Sequence, residues 1–241
     1  MVTVLCIKWG TAYGAHDVNV LRAMVRRHLD RPHRFVCLTE DPTGIDDAVE
    51  CRPLPTMRLP KNPDAKGGWR KLGVLSEAYA DLPGPILFLD LDVAVTGDLG
   101  PFFDHPGRFC IIKNWTTPGQ RIGNSSVFRF EPGAEAAVLA AFEREPDAAI
   151  ASVDNEQIYL SRHVAAVTWW PKSWVKSYKF HCMWPGPLAR LLTARLPSGA
   201  RILAFHGKPK PDEAIAGTWP GKRGGVVHAK PSPWLADYWR L

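Results

Sequence analysis

Ile86-Leu87-Phe88-Leu89-Asp90-Leu91-Asp92-Val93-Ala94-Val95-Thr96-Gly97-Asp98-Leu99 is the stretch on which the reading of this chain turns. Four apolar residues run without interruption into two carboxylates at i and i+2. Such a run predicts a strand, Ile86–Leu89, buried on both faces and therefore central in a sheet. In an extended chain alternate side chains share a face, so Asp90 and Asp92 converge. They stand at the carboxyl end of that strand, the edge at which open parallel sheets bind ligands. Two adjacent carboxylates repel unless a cation neutralises them. A hard divalent ion such as Mg²⁺ or Mn²⁺, bridging to phosphate oxygens, does so. Asp-x-Asp by itself is weak, since two solvated acids on a loop look the same; the apolar strand before it gives it weight.

Outward from this strand the pattern alternates. Val2–Ile7 reads as a buried first strand, followed by a loop that carries Tyr13. Val18, Leu21, Val25 and Leu29 recur at helical spacing, with Asp17 placed to cap the helix. Arg34–Leu38 and Val49–Arg52 read as strands, and residues 53–68, rich in Pro and Gly, as a loop. Trp69, Leu72, Leu75 and Tyr79 predict a helix over Trp69–Ala80, broken by Pro83-Gly84. This β-α-β-α-β order predicts an α/β fold whose mostly parallel sheet is flanked by helices. After Asp98 the spacing changes. Strands are expected at Phe109–Ile112, Ser126–Phe130, Val167–Trp170 and Arg201–Phe205, and helices at Ala134–Glu143 and Asp154–Arg162. Pro, Gly and Lys dominate from Gly207 until an amphipathic stretch, Trp234–Trp239. With no clean linker, a single domain over residues 1–241 is expected, with a nucleotide-binding half (1–98) and an acceptor-side half with a C-terminal tail (99–241).

The chain has 241 residues, 46% of them hydrophobic and 22% charged, which argues against wholesale disorder. No apolar run approaches the roughly 20 residues that span a bilayer. The first residues lack the basic leader and long apolar region of a signal peptide, so a cytoplasmic location is expected. The five cysteines, Cys6, Cys37, Cys51, Cys110 and Cys182, form no C-x-x-C pair and read as reduced thiols. The formal charge of +6 suits a phosphate-bearing ligand, an anionic acceptor or peripheral association with a membrane surface. No Lys/Arg block or nucleic-acid module is present, so nucleic acid is not an expected partner.

Two chemistries use an acidic pair after an apolar strand. In glycosyl transfer a metal clamps a nucleotide diphosphate leaving group. In phosphatases like the haloacid dehalogenases the first Asp is a nucleophile. That motif normally continues Gly-Thr near the N-terminus; here it continues Val93-Ala94, a third of the way along, and a later acidic metal pair in the right Gly context is missing.

The residues resemble those of GT-A-fold glycosyltransferases, especially glycogenin and the bacterial lipopolysaccharide galactosyl- and glucosyltransferases of glycosyltransferase family eight. The resemblance runs in order over most of residues 2–210. The first strand and the loop with Tyr13 resemble the family's nucleotide-binding loop, where an aromatic ring packs near the base. Trp69-Arg70-Lys71-Leu72 resembles a helix start whose lysine faces the donor phosphates. Phe88-Leu89-Asp90-Leu91-Asp92 is similar to the metal motif. Gly123-Asn124-Ser125-Ser126 resembles the "Asn-Ser-Gly" strand beside the donor sugar. Asp154-Asn155-Glu156-Gln157-Ile158-Tyr159-Leu160 resembles the "Asp-Gln-x-x-Leu" helix, and Phe205-His206-Gly207-Lys208-Pro209-Lys210-Pro211 the late segment in which a His completes the metal site and a Lys touches the diphosphate.

The resemblance thus implies a hexosyltransferase with a UDP-linked or other nucleotide diphosphate sugar donor, a glycan acceptor of unknown identity, and Mn²⁺ or Mg²⁺ on Asp90, Asp92 and His206. It implies donor contacts from Tyr13, Lys71, Asp90, Asn124, Ser125, Lys208 and Lys210, and catalytic roles near Asp154, Glu156 and Gln157. The family retains anomeric configuration.

Departures leave several places open. His228, in a second His-Ala-Lys-Pro, competes with His206, although His206 directly follows an apolar strand. Lys208 competes with Lys210, and Asp154 with Glu156-Gln157. Ser126 replaces a family Gly. Each residue also has a plainer reading: Tyr13 as a packing ring, Lys71, Lys208 and Lys210 as solvated charges, Asn124 as a turn residue, and Asp154 as an N-cap. Trp169, Trp170 and Trp174 are core or acceptor platform. A catalytically inactive sugar-binding module would share the fold but with a broken metal motif.

Overall fold

The computed structural model describes residues 1–59, 68–221 and 225–241. The strands in chain order are β1 (Val2–Lys8), β2 (His33–Thr39), β3 (Glu50–Arg52), β4 (Ile86–Leu89), β5 (Val93–Val95), β6 (Phe109–Lys113), β7 (Gly123–Phe130), β8 (Val167–Trp169), β9 (Val175–Ser177), β10 (Ile202–Ala204), β11 (Thr218–Pro220) and β12 (Val226–His228). The α-helices are α1 (Ala15–His28), α2 (Gly100–Asp104), α3 (Ala136–Arg144), α4 (Pro146–Ser152), α5 (Glu156–His163), α6 (Leu188–Leu191) and α7 (Pro211–Ala216).

Seven strands form the main sheet in the order β3-β2-β1-β4-β7-β6-β8. Only β7 runs against the rest: it is antiparallel to both β4 and β6, while β1–β2, β2–β3, β1–β4 and β6–β8 are parallel. β4 is central and fully buried, as its apolar run requires. Alternation along the strands feeds two cores. Val4, Cys6, Leu87 and Leu89 face α1 and a second sheet, β5-β10-β9. Leu5, Ile7, Ile86 and Phe88 face α3, α5 and a 3₁₀ helix, Trp69–Leu75. On that second face Trp69 stacks on Phe142 at 5.3 Å and meets Tyr159 edge-on at 5.9 Å.

Several elements differ from expectation. The helix anticipated over Trp69–Ala80 is two 3₁₀ segments, Trp69–Leu75 and Glu77–Tyr79. Ser76 separates them in an extended conformation, its hydroxyl accepting from the Ala78 amide, a local bond that competes with helix continuation. The N-cap of α1 is Gly14 rather than Asp17; Asp17 sits one turn in, its carboxylate accepting from the Gly14 amide at 2.8 Å. α5 is capped by Asn155, not Asp154, through Asn155 Oδ1 and the Ile158 amide. Residues 53–59 are irregular as expected; the rest of that anticipated loop up to 67 lies outside the described residues. All five cysteines are free thiols. Among the described residues no helix is long and apolar enough to cross a membrane.

Candidate active site

The site grows from the carboxyl end of β4. The Asp90 amide donates to Ser126 O at 2.9 Å, which extends the β4–β7 pairing by one residue and brings Asp90 beside the first residues of β7. Lys71 reaches it from the 3₁₀ helix on the opposite side. Its Nζ lies 2.8 and 2.9 Å from the two Asp90 oxygens, 3.2 Å from Ser125 O and 3.7 Å from Glu156 Oε1. Glu156, in the first turn of α5, accepts from Ser125 Oγ at 2.7 Å. Asn124 Nδ2 points to Gln157 Oε1 at 3.4 Å. Gly68 makes this junction fit: its φ is +69°, and a Cβ there would stand 2.7 Å from Glu156 Oε2.

Asp92 is held by a different set. Tyr13 Oη donates to its Oδ2 at 2.6 Å, and Lys210 Nζ lies 2.9 Å from the same oxygen. Lys210 also bonds the Tyr13 hydroxyl, with its ammonium 4.1 Å from the centre of the ring. The loop after β1 and the segment after β10 therefore close over the acidic pair from opposite ends of the chain.

Strand register brings the imidazole. β10 pairs antiparallel with β5, Ala204 opposite Val93, and the Phe205 amide donates to Asp92 O at 3.2 Å. His206 thus follows directly beside Asp92. β10 also pairs with β9, Ala204 opposite Ser177, so that Ser177 Oγ meets His206 Nε2 at 2.7 Å. Trp115 and Phe180 stack on the imidazole with centroids 6.0 and 5.3 Å away.

The charges are unevenly matched: Asp90, Asp92 and Glu156 face Lys71 and Lys210. Burial, the largest cause, pushes the Asp90 carboxyl up to about 6; Lys71 opposes the rise, and Asp92 and Glu156 add to it. Burial works against the Lys71 ammonium, but Asp90 and Glu156 outweigh it and hold its pKa above the ordinary value. Burial followed by the Asp92 charge raises the Tyr13 phenol, keeping it a proton donor. Burial and Lys179 lower His206, so its ring is neutral near pH 7 and available as a ligand.

Among the described residues, no three of His, Cys, Asp and Glu are gathered closely enough to hold an ion. The donor types nevertheless suit one: two carboxylates and a neutral imidazole on adjoining segments, in a cluster short of positive charge.

Of the other residues singled out from sequence, Lys208 pairs with Glu213. Asp154 is exposed, one residue ahead of the α5 cap, and no hydrogen bond or ion pair among the described residues ties it to the cluster. His228 is exposed on β12, opposite Thr218, and lines a groove with Trp184 and Trp219 rather than facing Asp92. Trp170 is core, edge-on to Phe102 at 4.8 Å, and Trp174 packs on the same ring. Ser177 and Trp115, which fix the His206 ring, have no sequence signature. A groove of about 780 Å³ opens beside His206, Gly207 and Lys208, walled by Lys179, Met183 and Trp219.

No protein-family model matches the sequence, and a search of curated proteins returns no match. Solved structures do match. The galactosyltransferase LgtC, solved with donor and acceptor sugar analogs, superposes with a TM-score of 0.60 at 16% identity, over 87% of this chain and 88% of that one. The glycosyltransferase GlyE of Streptococcus pneumoniae TIGR4 gives 0.59 at 15% identity, over 88% of this chain and 56% of that one. The bifunctional glycosyltransferase WbbM gives 0.54 at 13% identity, over 87% and 46%. Together with the reversed β7 inside an otherwise parallel sheet, these likenesses establish that the chain has the mixed α/β fold of the GT-A glycosyltransferases.

Proposed function

We propose that the chain is a metal-dependent glycosyltransferase that moves a hexose from a nucleotide diphosphate sugar, UDP-linked, to a glycan acceptor. In this reading it works as one unit, residues 1–98 binding the nucleotide and 99–241 the acceptor. The observation that carries it is the acidic pair at the carboxyl end of β4, with Lys71 on Asp90 and Lys210 on Asp92.

Asp90, Asp92 and His206 are the residues that would hold Mn²⁺ or Mg²⁺, whose positive charge stabilises a departing diphosphate. The three carboxylates around two ammonium groups leave the cluster with an unneutralised negative charge, which is the condition for a cation to enter. Lys71 orients Asp90 and keeps it ionised. Lys210 shields Asp92, and in this reading it and Lys208 give their charge to phosphate oxygens once the donor draws them from Asp92 and Glu213. Tyr13 offers its ring to the base. Asn124 and Ser125, fixed by Gln157 and Glu156, present polar groups to the donor sugar. Glu156 and Gln157, rather than the more distant Asp154, carry the catalytic assignment at the sugar.

Release of nucleotide from a panel of nucleotide sugars in the presence of Mn²⁺ tests this. One UDP-sugar is expected to be hydrolysed, with loss of at least about a hundredfold in Asp92→Ala. Turnover of no nucleotide sugar, or full activity in Asp92→Ala, would overturn the assignment.

A further inference from the structure

Among the described residues, six of the eight exposed large hydrophobic side chains fall in two segments of the acceptor-side half: Phe180, Leu188, Leu191, Leu192, Val226 and Val227, the other two being the terminal residues Met1 and Leu241. Leu191 is 70% exposed and Phe180 52%. The segments are one surface. Phe180, Trp184, Ala189, Arg190, Trp219 and Val227 line a single groove of about 580 Å³, and the Lys230 amide donates to Ala189 O at 2.7 Å. Apolar side chains scattered singly need no explanation, but a contiguous group does.

No Asp or Glu lines this groove, whereas Lys179 and Arg190 do. From residue 157 to 211 the chain contains no Asp or Glu and nine cations, Arg162, Lys172, Lys176, Lys179, Arg190, Arg195, Arg201, Lys208 and Lys210. This stretch alone carries +9 against +6 for the whole chain, which leaves the remainder at −3. Residues 214–236, which include β11 and β12, also lack any acid. Within the patch Lys179, Arg190, Arg195 and Lys230 are exposed beside the leucines, and Arg195 lies 4.6 Å over the Trp184 ring.

We propose that this face docks on a bilayer containing anionic lipids. Leu188, Leu191, Leu192 and Phe180 enter the acyl boundary, and Arg190, Arg195, Lys179 and Lys230 meet the headgroups. Trp184 and Trp219, both half-buried, suit the level between the two. A soluble anionic glycan would use the cations but gains nothing from leucines left in water, which is why the bilayer is the better occupant. The groove at His206 shares Lys179, Met183, Trp219 and Val227 with this region. A docked molecule therefore opens its site at the membrane surface, towards a lipid-borne acceptor; that consequence rests on the transferase reading, whereas the docking does not.

Sedimentation of the full chain with vesicles tests it, using equimolar phosphatidylcholine and phosphatidylglycerol against phosphatidylcholine alone. Binding to the mixed vesicles and not to the neutral ones is expected. Leu188→Glu with Leu191→Glu should weaken it by about tenfold or more, and Arg190→Ser by about fivefold. All three positions are exposed, so melting temperatures should match wild type, and Arg190→Ser keeps the test open should the double variant fold poorly. Asp92→Ala should bind vesicles as wild type does, which separates docking from transfer. No binding to mixed vesicles, equal binding to neutral ones, or binding indifferent to the leucine changes yet competed by a soluble polyanion would overturn the proposal.

Discussion

Lys71 is the residue on which the acidic cluster depends most. Its ammonium is buried against Asp90 and within 3.7 Å of Glu156, and removing one partner of a buried pair leaves the other charged and alone. Lys71→Met, close in length, is expected to cost about 3 kcal/mol near neutral pH. The pH dependence has a definite sign. The Asp90 carboxyl in the folded chain is already up at about 6, above its unfolded value, so its ionisation costs stability as pH rises. Without Lys71, which pulls that value down, the deficit should grow as the pH rises above about 6 and shrink as the pH falls and Asp90 takes a proton. Thermal melts across pH check this; a deficit that stays constant would show that Asp90 is not the group left stranded. Asp90 and Asp92 stood out in the sequence because they follow an apolar run of regular geometry, whereas Lys71 and Tyr13 were singled out through the family resemblance and carry no pattern of their own. Ser177 was not, since a serine in a three-residue strand carries no pattern, and its role comes from the β9–β10 register alone. Arg129 was equally silent. Buried on β7, it donates to the carbonyls of Phe102, Phe103 and His105 and so anchors α2; by residue type alone an arginine in a strand reads as surface.

At the scale of elements, long and strongly patterned segments were readable and short ones were not. β1, β2, β4 and α1 carry enough periodic residues to declare themselves. β5, β9, β11 and β12 have three residues each and are strands only because of their partners. The 3₁₀ geometry of Trp69–Leu75 shows how packing overrides an amphipathic pattern. Gly73 lies under Pro55, where a Cβ would stand 2.4 Å from Pro55 Cγ, and the tight turn places Lys71 and Trp69 on their targets together. Gly68 starts that turn. Gly68→Ala combines a left-handed backbone with a Cβ 2.7 Å from Glu156 Oε2. It is expected to cost about 1–2 kcal/mol and to lower donor hydrolysis by more than its melting temperature explains, because Glu156 must leave Ser125. Comparing activity of the fully folded variant with that of wild type checks this, and unchanged turnover would show that the Glu156 position does not matter to the site.

For the molecule as a whole, the two sheets position the two ends of the site independently. β4 and β7 fix Asp90, Asn124 and Ser125, while the β5-β10-β9 sheet carries Asp92's neighbours His206 and Lys210. The alternating first third of the sequence foretold the parallel part. It could not foretell that β7 would insert in reverse between β4 and β6, because the direction of a strand is set by which edges pair across the whole sheet. It is this division that makes ligand binding a test of the molecule, for a nucleotide diphosphate with a cation must draw Asp90 and Asp92 into one site and take Lys210 from its present partner. Thermal unfolding with UDP and Mn²⁺ together, against either alone, measures that directly. At a concentration about a hundredfold above Kd the pair should add about 2.7 kcal/mol to stability, seen as a rise in Tm that disappears in Asp92→Ala. Wild type melting at the same temperature with and without UDP and Mn²⁺, or an undiminished rise in Asp92→Ala, would contradict a nucleotide-sugar site at this acidic pair.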